Sequence, residues 1–135
     1  MRGENTSYKN TFVVDTSFVL AYLLPDEKKR DVEEMFLKFE ENKVVFIAPN
    51  LLAYEILNGL RTSVLQKRQS AKTAEQLLNA FLDIGISYEG VDEKEVLSLA
   101  LGKSISAYDA SYVWMAKNKK IKLLTLDERL RSAAG

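Results

Sequence analysis

The chain has 135 residues, 47% of them hydrophobic and 28% charged, which fits one globular domain and excludes disordered, collagen-like and fibrous classes. It contains neither Cys nor His, so disulfides, thiolate and imidazole metal sites, cysteine nucleophiles and Ser-His-Asp triads are excluded. Nineteen Lys and Arg balance nineteen Asp and Glu, so any binding to nucleic acid or membrane must use local patches rather than a global field.

Residues 1 to 10 are polar and have no apolar core, so they read as a flexible tail and not a secretory signal. No apolar run approaches the ~18 residues of a membrane span, and the expected location is the cytoplasm. Residues 11 to 135 read as a single domain. Thr11 to Asp15 is a β-branched run of the kind that forms a strand buried on both faces. Ser17 to Leu24 predicts a short helix stopped by Pro25. In the charged stretch Asp26 to Asn42, Val32, Met35, Phe36 and Phe39 fall at helical spacing. Val44 to Ile47 predicts a second strand, and Pro49 and Asn50 open a helix to about Gln66. Ser70 to Leu82 is amphipathic, and Ile84 to Tyr88 is a weak third strand. Asp92 with Glu95 fits a capping box, and Ser106 opens a helix over Ala107 to Lys119. Ile121 to Thr125 is a fourth strand, followed by a helical turn or two over Asp127 to Ser132. Strands alternating with helices predict a parallel sheet covered on both faces, with ligands beyond the C-terminal strand ends.

Four acids stand out against that frame. Asp15 and Asp127 each follow an apolar strand directly, with a hydroxyl nearby (Thr16 and Ser17 for one, Thr125 for the other). Each also fits a plain helix N-cap, and Thr125 with Glu128 matches a capping box. Asp109 shares a helix face with Tyr112, Val113 and Ala116, where a carboxylate loses water; first-turn capping is its simpler role. Glu55 lies at the edge of the apolar stripe Leu52, Ala53, Ile56, Leu57 and Leu60, and alone reads as a solvated helix glutamate. Were the four to converge, each like-charge pair about 5 Å apart would repel by roughly 3 kcal/mol at an effective dielectric of 20. With no histidine available, a divalent cation is the natural counter-charge, and oxygen-only ligands suit Mg²⁺ or Mn²⁺.

Val13-Val-Asp-Thr-Ser17, Ala48-Pro-Asn-Leu-Leu-Ala-Tyr-Glu55-Ile-Leu-Asn-Gly-Leu60, Ala107-Tyr-Asp109-Ala-Ser-Tyr-Val-Trp-Met-Ala116 and Leu123-Leu-Thr-Leu-Asp127 stand in order over residues 11 to 131. Together they resemble PIN-domain ribonucleases of the VapC toxin type. The resemblance implies an α/β three-layer sandwich with a central parallel sheet in which the first strand neighbours the fourth. The family usually continues into a fifth edge strand; this sequence predicts four. By position, Asp15, Glu55, Asp109 and Asp127 match the family's acidic quartet, implying Mg²⁺- or Mn²⁺-dependent RNA cleavage. Asp15 and Asp109 would be direct ligands. Glu55 and Asp127 would bind directly, through water, or at a second ion. Thr16, Ser17 and Thr125 would orient carboxylates or water from behind. Arg129 and Arg131 are the preferred phosphate contacts among the basic residues; Lys28 to Arg30, Arg61, Lys67, Arg68, Lys117, Lys119 and Lys120 are the other candidates. Tyr22, Tyr54, Tyr108 and Tyr112 are either core or base-stacking residues. The family also implies an antitoxin partner and a homodimer. The alternative is a catalytically silent PIN fold that binds RNA or protein. A dehalogenase-type phosphatase needs an acid where Ser17 stands, and a phospho-receiver needs adjacent acids that are missing here.

Overall fold

The computed structural model describes residues 10–135, so apart from Asn10 the tail read over residues 1 to 10 lies outside them. Strand β1 (Thr11–Val14) leads through Asp15 into α1 (Thr16–Leu23). A 3-10 turn (Pro25–Glu27) precedes α2 (Arg30–Glu40), β2 (Val45–Pro49), α3 (Leu51–Leu65) and α4 (Ala71–Ile84). Then come β3 (Ser87–Glu89), α5 (Glu93–Lys103), α6 (Ala107–Lys119), β4 (Lys122–Leu124) and α7 (Glu128–Ala134). Pro49 closes a strand instead of opening a helix, and Leu51 takes the first helical position.

The four strands form one parallel sheet in the order β3-β2-β1-β4. The three-layer α/β architecture, the four strands and the β1–β4 neighbourhood are therefore as the sequence implied. Central β1 supplies Val13 and Val14, both fully buried, which explains its unbroken apolar run. Both edge strands have three residues, leaving little unpaired backbone for a foreign strand.

Helix α6 lies over β1, β2 and β4, with α5 and α7 against it. Its buried face carries Ala110, Tyr112, Val113 and Ala116. Helices α1 to α4 pack on one another, and α1 and α2 meet β2 through a cluster of rings. There Phe36 stacks on Tyr22 at 3.9 Å and meets Phe46 edge-on at 5.1 Å. Left-handed backbone at Gly85 (φ 82°) ends α4 and turns the chain into β3.

Local capping follows the sequence with two exceptions. Asp92 accepts from the Glu95 amide at 3.0 Å, but the Glu95 carboxylate turns to the Trp114 indole N–H at 2.7 Å. The capping box is thus half made, and its other half ties α5 to α6. Likewise Thr125 does not cap α7: Asp127 does, which frees the Thr125 hydroxyl for another partner.

Candidate active site

Asp15 stands one residue past β1, and its amide donates to the Leu124 carbonyl at 3.2 Å, carrying the β1–β4 ladder one step further. Its carboxylate caps α1: Oδ1 accepts from the Phe18 amide (3.0 Å) and the Ser17 hydroxyl (2.8 Å). Oδ2 accepts from the Thr125 hydroxyl. The residue is only 4% exposed. Burial pushes its carboxyl above the usual range despite the three donors, and the Asp127 charge adds to the rise.

Ser17 and Thr125 do more than solvate one acid. The Ser17 hydroxyl accepts from the Leu126 amide (2.9 Å), and Thr125 Oγ1 accepts from the Asp127 amide (3.0 Å). The two hydroxyls therefore join the turn after β1 to the turn after β4, placing Asp127 relative to Asp15.

Glu55 reaches the same place from α3. Its Oε1 accepts from the Thr16 hydroxyl and from the Tyr112 phenol, both at 2.6 Å, and those two oxygens lie 3.2 Å apart. Burial drives the phenol far above its usual range, with the neighbouring Glu55 carboxylate adding to it, so Tyr112 keeps its proton and donates a hydrogen bond to Glu55. Sequence reasoning listed Tyr112 as a core or stacking aromatic and missed this role. The available signal was its position three residues past Asp109 on the same helix face.

Asp109 occupies the first turn of α6, where Ser106 caps its amide at 3.0 Å. Its side chain is 29% exposed and pairs with Arg129 Nη2 at 3.4 Å. The same nitrogen reaches Asp127 Oδ2 at 3.2 Å. Asp127 Oδ1 meanwhile accepts from the amides of Arg129 (2.9 Å) and Leu130 (3.4 Å). Burial works against the charge on Asp127, but the guanidinium and the helix amides prevail and hold its carboxyl below the ordinary range. Both simple roles foreseen for Asp15 and Asp127, capping a helix, are therefore real. Helix α7 buries Leu130 and Ala133, so Asp127 is firmly carried although no fifth strand follows it among the described residues.

All four acids, with Thr16, Ser17 and Tyr112, line one cleft of about 320 Å³. As the side chains stand, no three acids among the described residues are grouped to hold one ion. Arg129 accounts for part of this, because its guanidinium lies between Asp109 and Asp127. Its side chain is 64% exposed, and it balances part of the charge on this pair of carboxylates. The donors are all oxygens, which fits a hard divalent ion.

Neither arginine singled out for phosphate binding is without a partner. Arg131 donates to the Thr125 carbonyl at 2.6 Å and pairs with Glu128. Lys28, Arg68 and Lys119 pair with Glu33, with Asp26 and Glu27, and with Glu89. A phosphate at any of these would compete with the carboxylate already paired there, although each cation has more N–H donors than these partners use.

Residues 12–135 match the PIN domain family. Ribonuclease VapC3 of Pyrobaculum aerophilum is 30% identical over 122 residues, spanning 87% of this chain and 90% of that protein. Ribonuclease VapC9 of Mycobacterium tuberculosis and VapC ribonuclease Mb0985 of Mycobacterium bovis are each 31% identical over 118 residues, or 87% of both chains compared. The crystal structure of PAE2754 from Pyrobaculum aerophilum shares the fold, with a TM-score of 0.74 at 23% identity over 91% of this chain and 78% of that one. With the match running from the first strand to the last residue, the chain belongs to the PIN domain family, among its VapC-type members.

Proposed function

We propose that this protein is a Mg²⁺- or Mn²⁺-dependent endoribonuclease acting as the toxin of a toxin–antitoxin pair. The observation that carries the reading is one cleft lined by four carboxylates from four separate stretches of chain, at the C-terminal ends of β1 and β4. Uncompensated, that charge costs several kcal/mol, and a bound cation offsets it. The relatives named as ribonucleases support RNA as the substrate.

Asp15 and Asp109 are the direct ligands in this reading, with Glu55 and Asp127 binding directly or through water. An ion held by these carboxylates would supply Lewis acidity to a phosphoryl oxygen and to a bound water. The chain's own residues hold the ligands still. Ser17 and Thr125 fix the rotamer of Asp15, while Thr16 and Tyr112 fix Glu55 by the same oxygen. Arg129 exchanges its carboxylate partners for a substrate phosphate once the acids are neutralised, and Arg131 does so with its outer partner Glu128. An antitoxin and a second copy of the chain are the expected protein partners. A cytoplasmic location fits a chain in which no described helix is long and apolar enough to cross a membrane.

Cleavage of a single-stranded RNA with and without Mn²⁺, by wild type and Asp109→Asn, tests the reading. Loss of a ligand charge is expected to lower the rate by at least about 100-fold. Metal-free stability should stay at or above the wild-type value, since one repelling charge is gone. Equal cleavage by the variant, or cleavage indifferent to metal, would contradict the reading.

A further inference from the structure

A second groove, of about 440 Å³, opens beside the acid cleft and shares Thr16, Leu20 and Glu55 with it. Two tyrosines flank it, Tyr54 at 75% exposure and Tyr108 at 66%. Each directly precedes an acid of the cleft, Glu55 on α3 and Asp109 on α6. Neighbouring positions on a helix point about 100° apart, so an acid aimed into the cleft puts the ring before it on the flank. The sequence thus repeats a tyrosine–acid pair on two helices that meet at the same place.

Neither ring stacks on another ring, and neither phenol makes a hydrogen bond among the described residues. This contrasts with Tyr22, packed on Phe36, and with Tyr112, bonded to Glu55. Asn58, one turn beyond Tyr54, also lines the groove, and its amide has no hydrogen-bond partner there. The floor is apolar. Gly59 permits it, because a Cβ at that position would lie 2.7 Å from Leu20 Cδ1. Glu55 is the one ionised group in the lining, so the groove repels phosphate and suits a flat, neutral, aromatic group.

We propose that this groove is a nucleobase subsite, in which an unpaired base next to the scissile phosphate lies against Tyr54 and Tyr108 with Asn58 at its polar edge. The proposal rests on the ribonuclease reading for its occupant. It adds that recognition begins with a base stacked outside the acid cleft. Single-stranded RNA meets the requirement, since its bases are free to turn out of the stack.

The test is titration of a short single-stranded oligoribonucleotide carrying 2-aminopurine, in Ca²⁺ buffer, onto wild type, Tyr54→Leu/Tyr108→Leu and Tyr54→Phe/Tyr108→Phe. Cleavage in Mn²⁺ is followed separately. Both tyrosines are exposed, so the variants are expected to melt with the wild type. Removing the two ring faces should weaken binding about tenfold or more and relieve 2-aminopurine quenching. The salt slope should not change, because no phosphate contact is lost. The phenylalanine variant should bind as wild type. Wild-type affinity and quenching in the leucine variant would overturn the subsite, even if the wild type cleaves RNA well. Stacking lost in the leucine variant, together with a wild type that does not cleave, would keep the subsite and remove the nuclease. A leucine variant that loses self-association by sedimentation but keeps RNA binding would assign the surface to a second copy of the chain and overturn the proposal.

Discussion

The two halves of the acid cleft hold their charge by opposite means. On one side, Asp15 and Glu55 are fixed by neutral hydroxyls: Ser17 and Thr125 for the first, Thr16 and Tyr112 for the second. On the other, Asp109 and Asp127 share one exposed guanidinium from Arg129. Hydroxyl donors orient a carboxylate without cancelling its charge, whereas a guanidinium cancels charge and is screened by salt. The contrast shows in the carboxyls themselves, with Asp15 raised by burial and Asp127 lowered chiefly by Arg129. One half is a rigid frame waiting for positive charge, and the other holds a provisional one.

Metal should act on both halves at once. A Mn²⁺ concentration about 100 times its dissociation constant should stabilise the fold by roughly 2.7 kcal/mol. Thermal melting would show the gain in wild type and its loss in Asp15→Asn and Asp109→Asn alike. A gain surviving in either variant would mean that the halves do not bind one ion jointly.

The rigid half can be loosened alone. Tyr112→Phe removes one of the two donors to Glu55 and should lower RNA cleavage about tenfold, in the range seen when groups behind metal ligands are lost. Thr16→Val should cost a similar amount, and the two together less than the product, because both act on the same oxygen. Additive losses in a double-mutant cycle would show that the two hydroxyls act separately.

Much of this was legible in the sequence, for identifiable reasons. The β-branched run of β1 and the helical spacing of α6 are strong local signals, and they alone place Asp15 and Asp109 at element ends. Helix capping explained Asp15 and Asp127 equally well, and both are caps; a strand-end acid serves the helix start and the cleft together. Of the Glu55–Thr16–Tyr112 triangle only the shared helix face of Tyr112 and Asp109 was legible, because the triangle joins three helices and no spacing rule spans such separations. Arg129 was foreseen as a phosphate contact, but its bridge between Asp109 and Asp127 was not, since only folding brings α7 against the start of α6. Thr125 looked like a cap by its distance from Glu128, but a buried carboxylate in need of a donor took its hydroxyl.

The provisional half should respond to removal of its cation. Arg129→Ala is expected to tighten Mn²⁺ binding by about two- to fivefold at low salt, as fits an exposed ion pair. The advantage should shrink as salt rises. Calorimetric titration at two ionic strengths checks this, and weaker binding in the variant would make Arg129 a supporter of the site instead of its placeholder.

The smallest effect is in pH dependence, where the halves should differ in sign. Asp15 has a raised carboxyl in the fold, so its contribution to stability is full below the ordinary carboxylate range and is lost as pH rises through the raised value. Asp127 has a lowered one, so its contribution is present above that range and is lost as pH falls through the lowered value. Denaturant melts from about pH 3 to about pH 7 should show wild type losing ground to Asp15→Asn as pH rises and gaining on Asp127→Asn. Parallel curves for the two variants would erase the distinction between the halves.

Joint action of the four carboxylates on a cation is tested most directly by anomalous scattering from a crystal soaked in Mn²⁺. A peak within bonding distance of an Asp15 oxygen and of at least one oxygen of Asp109, Asp127 or Glu55 is expected, with the Arg129 side chain moved away from Asp109. An ion bound only elsewhere on the surface, with Arg129 still bridging Asp109 and Asp127, would contradict it.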